Sequence, residues 1–554
     1  MIDQAEDASW ILLDKNNNAG FLYCKENSQN LRSISLSFSL IFVLVGALVI
    51  FATISRMIEE HAKLVGTTKA LGFFNKEILE KYLVFGMLST MLGVILGILG
   101  GYFLLQPFIL KVYSPYYTVP LNKKAFELLP TLIVIVGGVL LSYIAVRLAC
   151  DRLLKMRAVA LLSGESESAK RKNKETEDDP EKSLYGQLIL LNMTSDLKRV
   201  IVTIVGIAGC CILLMIGFYM KFAMDGVSKA QYGKVQTYDA ELFFDNEISP
   251  DAETDLASLM DELGAQYISV SRNSLSFGIG DGMSGCTVIA ADPEEIRDYY
   301  HLNSISGKKE ELTLPEEGVI IPKRMHEKYD LEIGSSYSIF DTTMKLFKVP
   351  VDGIFNNYFG NLVFFSLQGW QNAFGIDPVR NCFLVKLNGI SMEEFQEKTS
   401  LVPGFMSLKD SESDRAQIES TASALSIMII LMIVLAAIMA YFILTNLTGS
   451  YMIHKKKELT IMRVNGFTVK ECTRYAATEL IISTVIGIVV GAVAGGVLGY
   501  VIIRTVEQSF LQMVRTLDWR SVVLSALITA IFSLVVNALS LRVIKDLKLT
   551  DIAS

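Results

Sequence analysis

Few residues in this 554-residue chain stand where catalysis would need them. His301 and His326, the two histidines of its large polar region, lie at no metal-ligand spacing. The stretch FGIGDGMSG (277–285) is rich in glycine, but no strand feeds it into a helix as a phosphate loop requires, so it reads as a turn between strands. LPEEG (314–318) pairs two carboxylates in a loop, where solvated surface is the ordinary outcome. No G-x-x-x-x-G-K-[ST] segment occurs, so ATP has no P-loop here. The seven cysteines are odd in number and form no CxxC; they predict thiols packed as small hydrophobes, with neither a disulfide framework nor a metal site. Glu479 is the one clear candidate for a functional charge inside an apolar run, expected near the interface or paired internally. An enzyme in the polar region is the weakest of the function classes these residues leave open.

The most informative spacing is a repeat. KLVGTTKALGFFNKEI (63–78) returns as KELTIMRVNGFTVKEC (457–472) at a shift of 394 residues. Lys63 falls on Lys457, Gly72 on Gly466, Phe73 on Phe467, Lys76 on Lys470 and Glu77 on Glu471. Without a gap, Ser89 and Thr90 then fall on Ser483 and Thr484, and Gly93, Gly97 and Gly101 on Gly487, Gly491 and Gly495. LLKMRAVALL and DLKLTDIAS close the two copies at nearly the same shift, so the chain is internally duplicated. Glycines four apart share one helix face and let a second membrane helix approach closely; the plainer account is that glycine is common in such helices.

The elements that carry the repeat are membrane-length. Half of the residues are hydrophobic (51%), yet 20% are charged, a mixture that predicts spans alternating with polar segments. Seven apolar runs reach the roughly 20 residues a bilayer needs, near 33–55, 82–106, 129–149, 199–220, 424–448, 476–503 and 521–541. The net charge of −7 says little; the placement of basic residues says more. Lys and Arg crowd the loops near 56–81, 147–199 and 452–475, and are sparse at 107–128 and 504–520. The positive-inside bias then puts the first set and the C-terminus in the cytoplasm and the N-terminus outside. Residues 1–32 show no signal-peptide pattern, so an external start suggests that an upstream part is missing or that the first span inserts in reverse.

The expected fold class is an α-helical polytopic membrane protein of seven spans with an α/β extracytoplasmic domain. Residues 1–32 are the stub of an external segment, 33–160 a first three-span unit, and 161–184 a charged, disordered cytoplasmic linker. Residues 185–221 lead into the fourth span, 222–423 form the external domain, and 424–554 form a second three-span unit. In the external domain VQTYDAELFF and LVKLNG predict strands, SPDAETDLASLMDELG a capped amphipathic helix, and LPEEGVIIPKRMHEKYDLEIGSSYSIF a strand, short helix, Gly turn and strand.

A duplicated unit with a large external domain after its first span resembles the FtsX-like, or MacB-type, permeases of bacterial ABC transporters. Such sequences carry a pattern near R-E-I-G-I-L-R-A-L-G-A after the second span. Here it stands as KKELTIMRVNGFT (456–468) and AKLVGTTKALGFF (62–74). The first unit, with WILLDKNNNAGFLYCKENSQNLRSIS before a span and RMIEEHAKLVGTTKALGF after it, is similar to the long two-unit permeases of Gram-positive bacteria. The pattern's acidic residue is kept as Glu458 but is Leu64 in the first copy, which puts its ion pair there in doubt unless Glu59 or Glu60 substitutes. By the same resemblance a full protein has eight spans, and this chain would lack the first span and first external domain.

The resemblance implies that the repeated segments are coupling helices seated on a separate ABC ATPase dimer. Lys63, Lys69, Leu71, Gly72 and Phe73 would carry the contact in the first copy, and Glu458, Arg463, Val464, Gly466 and Phe467 in the second. Ala70, Phe73, Phe74 and Ile78 fall at roughly helical spacing beside Lys69 and Lys76, a pattern suited to a groove; an interfacial helix held by anionic lipid is the alternative. Gly72 and Gly466 are expected to end or bend these helices. The resemblance thus implies a non-catalytic membrane subunit with no cofactor of its own, ATP being bound by the partner, which exports or extracts a hydrophobic, lipid or peptide substrate. A sensing permease that controls a histidine kinase, an accessory envelope protein or a cell-wall hydrolase has the same signature. No nucleic-acid partner is expected.

Overall fold

The computed structural model describes residues 60–114, 126–163 and 197–541, apart from short breaks at 245–247, 280–281, 306–309, 342–344 and 509, together with scattered positions between 28 and 58. Most of the 1–32 stub, the linker beyond Ser163, residues 185–196 and the C-terminal tail from 542 lie outside the described residues. So does the closing DLKLTDIAS of the second copy.

Six helices among the described residues are long and apolar enough to cross a membrane, against the seven expected. The seventh prediction, 33–55, falls where only some residues are described; every one of those is helical. The chain is a multi-pass membrane protein. After a short helix α1 (Ala62–Ala70), α2 (Asn75–Gly100) continues through a π-helical turn at Gly101–Leu105 into Gln106–Tyr113. Next come α3 (Leu128–Lys155), the short α4 (Ala158–Ser163) and α5 (Leu197–Ala230).

The chain divides into two compact units. One gathers residues 36–221, 427–501 and 517–554; the other gathers 222–426 with 502–516. In the second, strands β1 (Ala240–Phe244), β2 (Gln266–Ile279), β3 (Gly282–Ala291), β4 (Val319–Pro322), β5 (Ser336–Phe340), β6 (Leu346–Phe355), β7 (Leu362–Ser366), β8 (Cys382–Lys386) and β9 (Phe405–Asp410) form one sheet. The pairings β2–β3, β3–β7, β7–β4, β4–β6, β6–β5 and β5–β2 return to their starting strand, so six strands close into a ring. β2 is long enough to leave that ring and pair, through Gln266–Val270, with β8, which leads on to β1 and β9.

Side-chain alternation fills both faces of β3. Val288 and Ala290 join one buried cluster with Phe277, Tyr337 and Phe365, while Ile289 and Ala291 join another with Tyr300 and Phe355. The glycine-rich FGIGDGMSG stretch is the β2–β3 hairpin, with Gly278 opposite Met283. Helix α6 (Pro250–Leu263) shows why the sequence folds locally as it does. Ser249 caps it by accepting from the Ala252 N–H, Pro250 opens it, and Gly264 closes it at φ 63°. Its buried Ala252, Leu256, Met260 and Leu263 recur every three or four residues and pack on Leu242, Phe383 and Phe395. The helices α7 (Lys323–Tyr329), α8 (Leu367–Phe374) and α9 (Met392–Thr399) complete this unit.

The last three helices are α10 (Ser411–Val464), α11 (Val469–Val506) and α12 (Trp519–Leu541). Within the helical unit, α2 and α3 pack closely: an added Cβ at Gly86 would lie 2.5 Å from a Val146 methyl, and Ile54, Tyr82, Val146 and Cys150 share one buried cluster. A second cluster joins Leu213 and Leu214 of α5 to Ala440 and Leu444 of α10 and Val536 of α12, with Phe42 and Val49 packed against it. Asn446 donates to the Thr53 hydroxyl at 2.7 Å, so the two halves of the duplication also meet through a polar contact. All six described cysteines are buried and free.

Candidate functional site

Each copy of the repeated segment builds a helix-turn-helix tip. In the first, α1 stops at Ala70 and Gly72 takes φ 93°, a left-handed value that favours glycine. The Gly72 N–H then donates to Lys69 O at 3.1 Å and the Phe73 N–H to Thr68 O at 3.2 Å, a paired closure of the helix end. The Glu77 carboxylate accepts from the Phe74 N–H at 2.8 Å and starts α2. The second copy repeats each feature. Gly466 takes φ 94°, its N–H donates to Arg463 O at 3.2 Å, and the Phe467 N–H donates to Met462 O at 3.1 Å. Glu471 accepts from the Thr468 N–H at 2.7 Å and starts α11.

This geometry corrects one expectation. Ala70, Phe73, Phe74 and Ile78 do not lie along a single amphipathic helix, because the left-handed Gly72 turns the chain between them. Leu71, Phe73 and Phe74 are instead exposed at the turn itself, with Leu71 and Phe74 more than 70% accessible (73% and 74%). Beneath them a cleft of about 190 Å³ is lined by Leu64, Val65, Phe73, Glu77, Ile78 and Tyr82. Lys63 is exposed, whereas Lys69 turns inward: its ammonium donates to Leu154 O at 2.7 Å and Met156 O at 2.8 Å, binding the last carbonyls of α3.

The second tip is braced differently. Val464 is exposed, Arg463 and Phe467 are half-buried, and Phe467 packs with Met462 on Leu459, Cys472 and Tyr475. Behind the turn Lys455 is fully buried, its ammonium 2.9 Å from Glu458 and 2.8 Å from Glu479. Tyr475 donates to Glu458 and Tyr451 to Glu479, while both rings face the ammonium, at 5.1 and 5.9 Å. Glu479 is therefore paired internally. The first copy has His61, Leu64, Phe85, Met57 and Lys81 at the five corresponding positions and cannot build this cage.

The glycine rows also differ. An added Cβ at Gly487 would lie 2.8 Å from Ile207, at Gly491 2.6 Å from Cys211, and at Gly495 2.8 Å from Met215, so α5 lies directly against this face of α11. At Gly93, Gly97 and Gly101 nothing among the described residues lies within 4 Å. Sequence reasoning passed over a second stripe. Ser521, Ser525, Thr529, Ser533 and Asn537 of α12 recur every fourth residue and are all buried. Ser533 pairs with Thr484 at 2.7 Å and Asn537 accepts from Thr448 at 3.1 Å, which satisfies these groups inside the bundle. Their spacing was the available signal.

Residues 36–158 and 430–547 each match the family model described as FtsX-like permease C-terminal. No curated protein sequence matches the chain. Among solved structures, the chain is similar to the periplasmic region of MacB from Actinobacillus actinomycetemcomitans at 12% identity, covering 33% of this chain and 94% of that one with a TM-score of 0.22. It is also similar to the extracellular domain of the noncanonic ABC-type transporter YknZ from Gram-positive bacteria at 17% identity, covering 29% of this chain and 88% of that one with a TM-score of 0.20. The FtsX-like permease domain is thus present twice in this chain, each copy carrying one tip.

Proposed function

We propose that this chain couples ATP hydrolysis on a separate ABC ATPase dimer to movement of its α/β domain, and so exports or extracts a hydrophobic, lipid or peptide substrate. The observation that carries the reading is the pair of tips: two helix ends, 394 residues apart, closed by the same glycine and restarted by the same glutamate. Two copies of one tip suit a two-fold partner. The chain has no P-loop of its own, so the motor is borrowed. The positive-inside bias puts both tips and the C-terminus in the cytoplasm, and the N-terminus and α/β domain outside. In this arrangement Leu71, Phe73 and Phe74 of one tip and Val464 of the other are the apolar groups offered to the ATPase.

The test uses the tagged full chain with the ATPase that copurifies from its own membranes. Gly466→Val and Arg463→Ala should abolish the chain's stimulation of ATP hydrolysis while membrane insertion persists. Unchanged stimulation in both variants would refute the reading.

A further inference from the structure

Residues 502–516, the last turn of α11 and the loop that follows it, cluster with the α/β fold and not with the rest of α11 or with α12. Their backbone is stitched to that fold, where the Gly360 N–H donates to Phe510 O at 2.7 Å and the Gln512 N–H to Tyr358 O at 2.9 Å, and to the end of α5, where the Val514 N–H donates to Ala223 O at 3.1 Å. Phe359 and Leu511 form an antiparallel bridge, and the rings of Phe359 and Phe510 meet edge-to-face. The Gln231 side chain fixes the receiving loop by accepting from the Tyr358 and Phe359 N–H groups.

Two arginines and two glutamates lie under this seam. Arg515 spans Glu327, at 2.6 Å through one of its nitrogens, and Glu507, at 3.0 Å through another. Arg324 donates to Gln508 O at 2.8 Å and lies 3.6 Å from the Glu507 carboxylate. The side chain of Glu507 is fully buried, and those of Arg515, Glu327 and Arg324 are only 9%, 10% and 13% exposed. Burial alone would raise the Glu327 pKa; hydrogen bonds from Arg515 outweigh it and hold the carboxyl below the usual glutamate range. The charges balance, and every carboxylate faces a guanidinium. Such a cluster holds firmly while complete and fails when one member is removed.

We propose that residues 507–515 are a fixed strap that fastens the end of α11 to the α/β fold, with Glu507 and Arg515 as its positioning residues. The α/β fold already continues into α5 at its start and α10 at its end through the peptide chain. Among the described residues the strap is a further attachment, made by backbone hydrogen bonds and buried side chains. It also ends an unbroken helix, since α11 starts at the second tip and runs from Val469 to Val506. Motion delivered to that tip therefore reaches the α/β fold along α11, provided the strap stays closed. This last step rests on the reading of the tips as levers.

The experiment uses the full chain in nanodiscs with its copurifying ATPase and reads hydrogen exchange and ATP hydrolysis together. Arg515→Met should speed exchange at 355–361 and 505–514 by roughly a hundredfold or more while exchange in β8 is unchanged. Stimulation of ATP hydrolysis should fall by about tenfold or more. A disulfide between Phe359→Cys and Leu511→Cys should restore both in the Arg515→Met background, and should leave stimulation intact with Arg515 present. Unchanged exchange in Arg515→Met would show that no strap exists. Faster exchange with full stimulation, or stimulation lost on cross-linking alone, would remove the strap from the path of motion. If the unaltered chain stimulates no ATPase, the lever reading fails, and the exchange contrast still decides the strap.

Discussion

At the first tip Lys69 reaches the carbonyls that end α3, and Leu71, Phe73 and Phe74 stand exposed above a cleft. At the second, Lys455 is sealed between two carboxylates and two tyrosine rings, and Phe467 lies down on the helices behind it. The turn between them is nonetheless the same, down to the glycine φ values of 93° and 94°. The comparison separates two kinds of constraint. A helix closed by a left-handed residue and restarted by a carboxylate has few sequence solutions, so Gly72/Gly466 and Glu77/Glu471 persist. Bracing that turn has many solutions, so an ammonium on helix carbonyls in one copy and an ion cage in the other serve the same end.

The largest expected effect tests the cage. Lys455→Met leaves Glu458 and Glu479 without their cation, and should cost about 3–5 kcal/mol in denaturant unfolding of the purified chain. His61→Met, at the corresponding first-copy position, should cost less than about 1 kcal/mol. Equal losses would erase the distinction between the tips. Next come the glycine rows. Gly491→Leu drives a side chain into Ala208 and Cys211 and should destabilise by about 1–3 kcal/mol or more. Gly97→Leu meets nothing among the described residues and should stay within about 0.5 kcal/mol, by the same unfolding measurement.

Smaller effects sharpen what the tips share. Gly72→Ala and Gly466→Ala each force a Cβ into left-handed backbone and should cost about 1 kcal/mol apiece, seen as equally faster hydrogen exchange at 71–74 and 465–468. A cost at one tip alone would mean that the common turn is coincidental. A loss of about 0.3–1 kcal/mol is expected for Lys69→Met, which removes a cation from the end of α3. It should appear as faster exchange confined to 150–156.

Much of this was legible in the residues. Gly72 and Gly466 announced their turns, the SPDAETDL pattern announced the Ser249 cap, and six apolar runs gave six helices, because each signal is local and its physics is short-ranged. The apparent helical spacing of Ala70, Phe73 and Phe74 misled, since periodicity was counted straight through a residue that reverses the chain. Lys455 looked like one more basic residue in a loop rich in them; its burial depends on Glu479, which is 24 residues away, and on two tyrosines that point inward only once α10 and α11 pack. The 504–520 segment read as a connecting loop for the same reason. Arg515 and Glu507 meet Glu327 and Arg324 across more than 180 residues, and nothing in local sequence declares such a pairing.

The account depends on both tips facing a cytoplasmic motor. Single cysteines at Leu71→Cys and Val464→Cys, two exposed tip positions, can be probed with a membrane-impermeant maleimide on intact cells and on inverted vesicles. The account predicts that both label in inverted vesicles only, and that both are protected when the copurifying ATPase is bound. Labelling of either position from outside intact cells would contradict it.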